Sequence, residues 1–228
     1  MRARLDEAAR TAGRDPATIR LVAISKTFPA EAVFAAATAG QLDFGENRVQ
    51  EGLQKIRATA ERQIRWHLVG HLQSNKAKKA VSAFHVIHSI DGVDLLRRVD
   101  EAAAEVGREP ALLIQVDLAG EATKFGAGES DLPAIFEAAG ELRAAKLAGL
   151  MLLPPFAEDP EDARPWFRRL REIRDRLADG GVDRRHLREL SMGMSHDFHV
   201  AIQEGATTVR VGTAIFGERP PAGGTENP

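Results

Sequence analysis

Residues His186–Gly217 read HLRELSMGMSHDFHVAIQEGATTVRVGTAIFG, and this stretch decides the fold. Two short runs, HLRELSM and TTVRVG, are apolar or β-branched over strand length and end in glycine. Between them lies a helix-favouring segment. Ser195 is placed to open that helix, and Gly205 to stop it before the next strand. The first run ends in Ser191-Met192-Gly193 and the second in Arg210-Val211-Gly212-Thr213. The segment is one strand–helix unit feeding another strand.

The same alternation extends back to the start of the chain. Further strand candidates are RLVAIS from Arg20, QLDFGE from Gln41, IRWHLVG from Ile64, HVIHSI from His85, ALLIQVDL from Ala111 and KLAGLML from Lys146. Helix starts follow at Pro29-Ala30-Glu31, Ser74, Asp91 and Asp159-Pro160-Glu161. The clearest helix, Glu161–Asp179, puts Trp166, Leu170, Ile173 and Leu177 on one face and Arg and Glu on the other. Gly40, Gly107, Gly140 and Gly180 sit where helices should stop. Several strands are apolar on successive residues, as parallel strands covered on both faces are. Eight such units in a chain of 228 residues predict an α/β fold, a closed (β/α)8 barrel, with an open doubly wound sheet as the rival. A helix over Ala3–Ala12 would cover the closing seam. No linker divides the chain, so residues 1–219 read as one domain, and 220–228, PPAGGTENP with its Pro, Gly and polar residues, as a disordered tail.

Composition narrows the chemistry. Lys plus Arg is 31 and Asp plus Glu 33, a net charge of −2 that offers no general field for nucleic acid or an anionic membrane. The absence of Cys excludes thiolate nucleophiles and Cys-ligated metal, and the absence of Tyr excludes a phenol as acid or base. No run approaches the ~20 apolar residues of a membrane span, and the charged N-terminus lacks a signal peptide's apolar core. The expectation is a cytoplasmic protein.

In such barrels the functional residues stand at the C-terminal ends of the strands. Lys26 closes an otherwise apolar strand, where partial desolvation would lower its pKa and suit it to condense with a carbonyl; the plainer reading is a solvated lysine. SMGMSHDF and RVGTAIFG combine Gly with hydroxyl residues after strands seven and eight, where many barrels hold a phosphate on backbone N–H groups. Those glycines serve equally well as tight turns. His67 and His71 lie roughly 13 Å apart on an extended strand at ~3.3 Å per residue, and His85 and His88 face opposite sides of theirs, so a metal site is disfavoured. Asn75–Lys79 and Arg168-Arg169 read as solvated helix faces. A carbonyl-seeking lysine and a phosphate cup, facing each other across a barrel mouth, suit pyridoxal 5′-phosphate (PLP) or a sugar-phosphate ketone.

LVAISKTFPAEAV, LDFGENRVQEG, WHLVGHLQSNK, GLMLLPP, LSMGMSHDFHVAIQEGAT and VRVGTAIFGER, in that order from about Arg20 to Arg219, closely resemble the pyridoxal phosphate homeostasis protein family. The resemblance implies a barrel of the alanine racemase N-terminal type, the type III fold of PLP proteins. It makes Lys26 the lysine that holds PLP as an internal aldimine. It implies Ser195, Gly212 and Thr213 as phosphate ligands, with Gly193 and Met194 shaping that loop. Asn47 would lie at the cofactor's rim, His67 and Gly70 beneath the ring, and Arg210 at the pyridine nitrogen.

Two consequences follow for function. An arginine keeps its proton, so it leaves the pyridine unprotonated and a weak electron sink. Racemases of this fold add a Tyr from a second domain, and this chain has no Tyr. The reading is therefore a PLP carrier without significant amino-acid turnover, serving homeostasis by buffering PLP and delivering it to apo-enzymes, as a monomer or weak dimer. The rivals are a PLP-dependent racemase or lyase, with His67, His71 or Asp117 as base, and a Schiff-base sugar-phosphate aldolase.

Overall fold

All eight predicted strands form: β1 (Arg20–Ile24), β2 (Asp43–Glu46), β3 (Arg65–Leu68), β4 (Val86–Ile90), β5 (Ala111–Val116), β6 (Lys146–Leu152), β7 (Glu189–Ser191) and β8 (Thr208–Val211), with β-branched residues concentrated in β1, β4, β5 and β8. The computed structural model describes residues 1–120 and 125–218, so the tail expected at 220–228 lies outside the described residues. Ala23 of β1 stands opposite Phe44 of β2 on one side and Val211 of β8 on the other, both in parallel. The barrel is thus closed in the order β1 to β8, which excludes the open sheet.

Around it run α1 (Arg2–Thr11), α2 (Ala30–Thr38), α3 (Val49–Ala58), α4 (Ala77–Val81), α5 (Val93–Val106), α6 (Leu132–Ala139), α7 (Arg164–Asp179), α8 (Phe198–Gln203) and α9 (Thr213–Phe216). The main core lies between helices and strands and includes Phe44, Phe84, Phe167, Leu96 and Ile173. As expected, α1 packs beside the seam. It contacts α8, and Arg14 just beyond it donates to the carbonyls of Ile202 and Ala206 at 3.0 and 2.6 Å.

Local differences from the sequence reading have local causes. Asp159 caps a separate short turn, Pro160–Ala163, so α7 begins later than Glu161. Its buried stripe is Phe167, Leu170 and Ile173, while Trp166 and Leu177 pack at the margin. As expected, α7 stops at Gly180, and it is the next residue, Gly181 at φ 95°, that takes the left-handed turn. Gly92, not Asp91, precedes the first residue of α5.

Inside the barrel two small apolar clusters form, Val22 with Ile24 and Val69, and Val86 with Leu113 and Met151. A side chain on Gly45 would stand 2.5 Å from Ile24 and 3.0 Å from Val22, so glycine on β2 makes room for the first cluster. Polar residues share the interior: His67, His88, Ser191 and Arg210 are all buried.

Candidate functional site

Lys26 follows β1 and is half-buried. Its neighbours are tied down by side-chain charge. The Ser25 hydroxyl donates to Glu46 Oε1 at 2.6 Å, and the Ser25 carbonyl accepts from Lys55 Nζ at 2.6 Å. Lys55, buried on α3, also donates to Glu46 Oε1 at 2.7 Å and Glu51 Oε1 at 2.8 Å. Glu51 Oε1 accepts the Thr27 amide at 2.6 Å as well. Thr27 sits at φ 69°, a left-handed conformation costing a non-glycine residue about 1–3 kcal/mol. The Lys55–Glu46–Glu51 cluster therefore holds a strained turn with Lys26 at its centre. Burial pushes the Glu46 carboxyl above its ordinary range, against the pull of Lys55 and Ser25. Burial also works to raise Glu51, but the Lys55 and Thr27 bonds outweigh it and hold that carboxyl below its usual value.

The other wall is built from backbone. Gly193, at φ 93°, lies where a side chain would stand 2.5 Å from the Ala201 methyl, and its carbonyl accepts the Arg210 amide at 2.9 Å. The Met194 amide donates to the buried Asp197 carboxylate at 2.6 Å. Ser195 lies in the turn before α8 and does not open the helix, which starts at Phe198, because this Asp197 turn intervenes. The Ser195 hydroxyl oxygen accepts the amides of Gly212 at 3.2 Å and Ala214 at 3.4 Å. Thr213, exposed, begins α9. The point on which the two amides converge is the Ser195 oxygen itself, and these two N–H groups with the hydroxyl proton gather the kind of donors a phosphate takes.

The two walls are neighbours on the rim, not opposite one another, because barrel closure pairs β1 with β8. A side chain on Gly212 would stand 3.3 Å from the Ile24 carbonyl, two residues before Lys26. Phe28 and Phe216 pack with ring centroids 5.2 Å apart and join the loops further out. A lysine and a phosphate cradle this close suit a small aldehyde with a phosphate arm, so the residues fit PLP.

The remaining predicted residues separate. Asn47 is half-buried at the end of β2, and its backbone oxygen lies only 2.2 Å from where a Gly70 side chain would begin. Gly70 thus permits the β2 and β3 loops to touch. His67 is fully buried, with Nε2 on Asp43 at 2.9 Å and Nδ1 on His88 Nε2 at 2.9 Å. His71 lies apart from it, 3.5 Å from Asp91 and stacked on Phe125. Asp117 Oδ1 accepts the amides of its own turn, Ala119 and Gly120. Arg210 donates to Ser191 Oγ at 2.6 Å and to the Leu152 carbonyl at 2.7 Å, and burial lowers its pKa to about 10.

Sequence reasoning missed Lys55, Glu46 and Glu51, and also Asp43, His88 and Ser191. For the first group a signal existed: Glu51 and Lys55 are four apart on one helix face. For the second it was polar residues interrupting apolar strands.

The closed barrel with Lys26 after β1 and an amide cradle after β7 and β8 defines a class, and the profile described as "Alanine racemase, N-terminal domain" matches residues 1–220. An alanine racemase of Clostridium difficile 630, 14% identical, superposes with a TM-score of 0.71 over 97% of this chain and 57% of its own, a likeness of fold. Within that class the chain belongs to the pyridoxal phosphate homeostasis protein family. It is 44% identical over 217 residues to the member from Aquifex aeolicus (strain VF5), covering 95% of this chain and 94% of that one. PipY of Synechococcus elongatus PCC7942, solved with PLP bound, is 40% identical with a TM-score of 0.83, covering 93% and 100%. Among the described residues no helix is long and apolar enough to cross a membrane.

Proposed function

We propose that this chain binds PLP through Lys26 and serves its homeostasis, holding the cofactor and passing it to apo-enzymes without significant amino-acid turnover. The observation that carries the reading is the convergence of the Gly212 and Ala214 amides on Ser195, with Gly212 beside the Ile24 carbonyl at the end of β1, two residues before Lys26. The names of the relatives and the PLP held by PipY support the same cofactor. When bound, PLP supplies an aldehyde for an amine and a ring that can accept electrons.

The chain's own residues then decide how far that ring is used. Burial lowers the Arg210 pKa to about 10, still well above neutral pH, so Arg210 keeps its proton. Against the ring nitrogen of a bound PLP it would act as a donor and would leave that nitrogen without a proton of its own. No Tyr exists to act on the second face of a substrate. Both nitrogens of His67 are committed to Asp43 and His88, Asp117 caps its own turn, and His71 is engaged by Asp91 and Phe125. Asn47, Gly193, Met194 and Thr213 complete the rim.

The test is an absorbance spectrum of the protein with PLP, followed by borohydride reduction and peptide mapping. A violet band and a pyridoxyl group on Lys26 are expected, as is transfer of PLP to an apo-enzyme on mixing. Label on another lysine overturns the attachment. Turnover of any common amino acid near ~1–10³ s⁻¹ overturns the carrier role in favour of a racemase or lyase.

A further inference from the structure

A chain of hydrogen bonds crosses the barrel interior. Asp43 Oδ1 on β2 meets His67 Nε2 on β3 at 2.9 Å, and His67 Nδ1 meets His88 Nε2 on β4 at 2.9 Å. His88 Nδ1 then reaches across the barrel to Ser191 Oγ on β7 at 2.9 Å, and Ser191 Oγ meets Arg210 Nη1 on β8 at 2.6 Å. From His67 to Arg210 every member is at most 4% exposed.

The two ends allow one direction only. A guanidinium cannot accept and an ionised carboxylate cannot donate. Arg210 therefore donates to Ser191. From the Asp43 end each neutral imidazole gives its one proton from Nε2 and is left with Nδ1 as an acceptor, so the Ser191 hydroxyl proton goes to His88 Nδ1. His88 then carries its proton on Nε2 and gives it to His67 Nδ1, and His67 carries its own on Nε2, toward Asp43. The opposite arrangement would set a His67 lone pair against the Asp43 carboxylate at 2.9 Å. Burial holds both histidines below their ordinary pKa, at His67 against the pull of the Asp43 carboxylate and with Arg20 and Arg65 adding to burial, and at His88 with His67, Arg210 and Arg20 adding to it, so both are neutral. Burial works to raise Asp43, but its bond to His67 and the charges of Arg20 and Arg65 outweigh it, so the carboxylate stays ionised.

We propose that Asp43, His67, His88 and Ser191 are positioning residues for Arg210: a one-way chain that locks the Ser191 hydroxyl as an acceptor and so fixes the guanidinium. The role of Arg210 toward the cofactor ring rests on the reading above; the chain itself does not. A buried arginine has the rotamer freedom of a long side chain to restrain. Ser191 and the Leu152 carbonyl restrain it by two nitrogens at once, and a serine rotor without a fixed acceptor for its proton would not hold its end.

The test begins on PLP-free wild-type protein with nitrogen NMR of the imidazoles. His67 and His88 should both be neutral and both protonated on Nε2; an Nδ1–H tautomer or a charged ring at neutral pH in either one overturns the chain. The Arg210 side-chain signals should be resolved as a rigid group, collapse to an averaged signal in Ser191→Ala, and return in Ser191→Thr, which keeps the hydroxyl. Unchanged Arg210 signals in Ser191→Ala overturn the positioning role. After loading with PLP, the absorbance maximum should shift in Ser191→Ala and recover in Ser191→Thr. Failure to take up PLP with both tautomers as expected counts against the cofactor reading and leaves the chain standing.

Discussion

The wall formed by β1, β2 and α3 and the wall formed by β7, β8 and α9 hold their parts of the site with different materials. On the first, a buried ammonium and two carboxylates fix the turn that carries Lys26. On the second, amides, one hydroxyl and two glycines shape the cradle. A charged cluster is brittle: removing one member strands the others in a low-dielectric place. Backbone donors cannot be removed by substitution, so the second wall should yield only where a side chain intrudes. The placement suits the chemistry, since a lysine must be held at one atom whereas a phosphate accepts donors from several directions.

The sharpest way to break this comparison is Lys55→Met. It leaves Glu46, 0% exposed, without its cation, and should cost about 3–5 kcal/mol in denaturant unfolding. Adding Glu46→Gln should restore much of the loss. The sign with pH is fixed by Glu46, whose folded pKa already lies above its ordinary value because of burial. In the variant a folded carboxyl that binds its proton more tightly than the unfolded one loses stability as pH rises, so the deficit should be greatest near neutrality and shrink toward pH ~4.5. A cost under about 1 kcal/mol at pH 7 would mean that charge does not hold this wall.

Gly212→Val tests the point where the walls touch. The added Cβ would begin 3.3 Å from the Ile24 carbonyl and 3.6 Å from the Ile24 Cβ, and its methyls would wedge β8 away from β1. PLP affinity should fall about a hundredfold, ~2.7 kcal/mol, in an absorbance titration, while Gly212→Ala, displacing its neighbour by tenths of an ångström, should fall much less. Equal affinity in wild type and Gly212→Val would separate the walls energetically and take this contact out of the site.

What the sequence disclosed follows the range of the interactions. The strands and α1 were legible because burial on both faces of a parallel strand writes a continuous apolar run, and each run is local. Lys26, Ser195 and Gly212 stood out because barrel geometry concentrates function at strand ends. The Ser191–His88 contact joins residues 103 apart, so no spacing rule could pair them. Lys55 hid for another reason: on a helix rich in Glu, Gln, Lys and Arg it reads as one more solvated cation. The sequence points to Ser195 as a helix start because the turn built by Asp197 and the Met194 amide has no strong signature of its own.

Ser195→Ala should have the smallest effect, and its size measures how far the second wall depends on backbone. The hydroxyl supplies one donor toward a phosphate, and a hydrogen bond to a charged group contributes about 1.5–3 kcal/mol. The same oxygen, however, accepts the Gly212 and Ala214 amides at 3.2 and 3.4 Å, and its removal releases both of them to the phosphate. That release offsets part of the loss, and the net cost should sit at the lower end, about 1.4 kcal/mol or tenfold in PLP affinity. The far-ultraviolet spectrum and the pyridoxyl label on Lys26 should be unchanged. A loss beyond a hundredfold would make this wall as dependent on a single side chain as the wall around Lys55, and the contrast between them would fail. No measurable loss would leave the cradle to Gly212, Thr213 and Ala214 alone, the backbone argument taken to its limit.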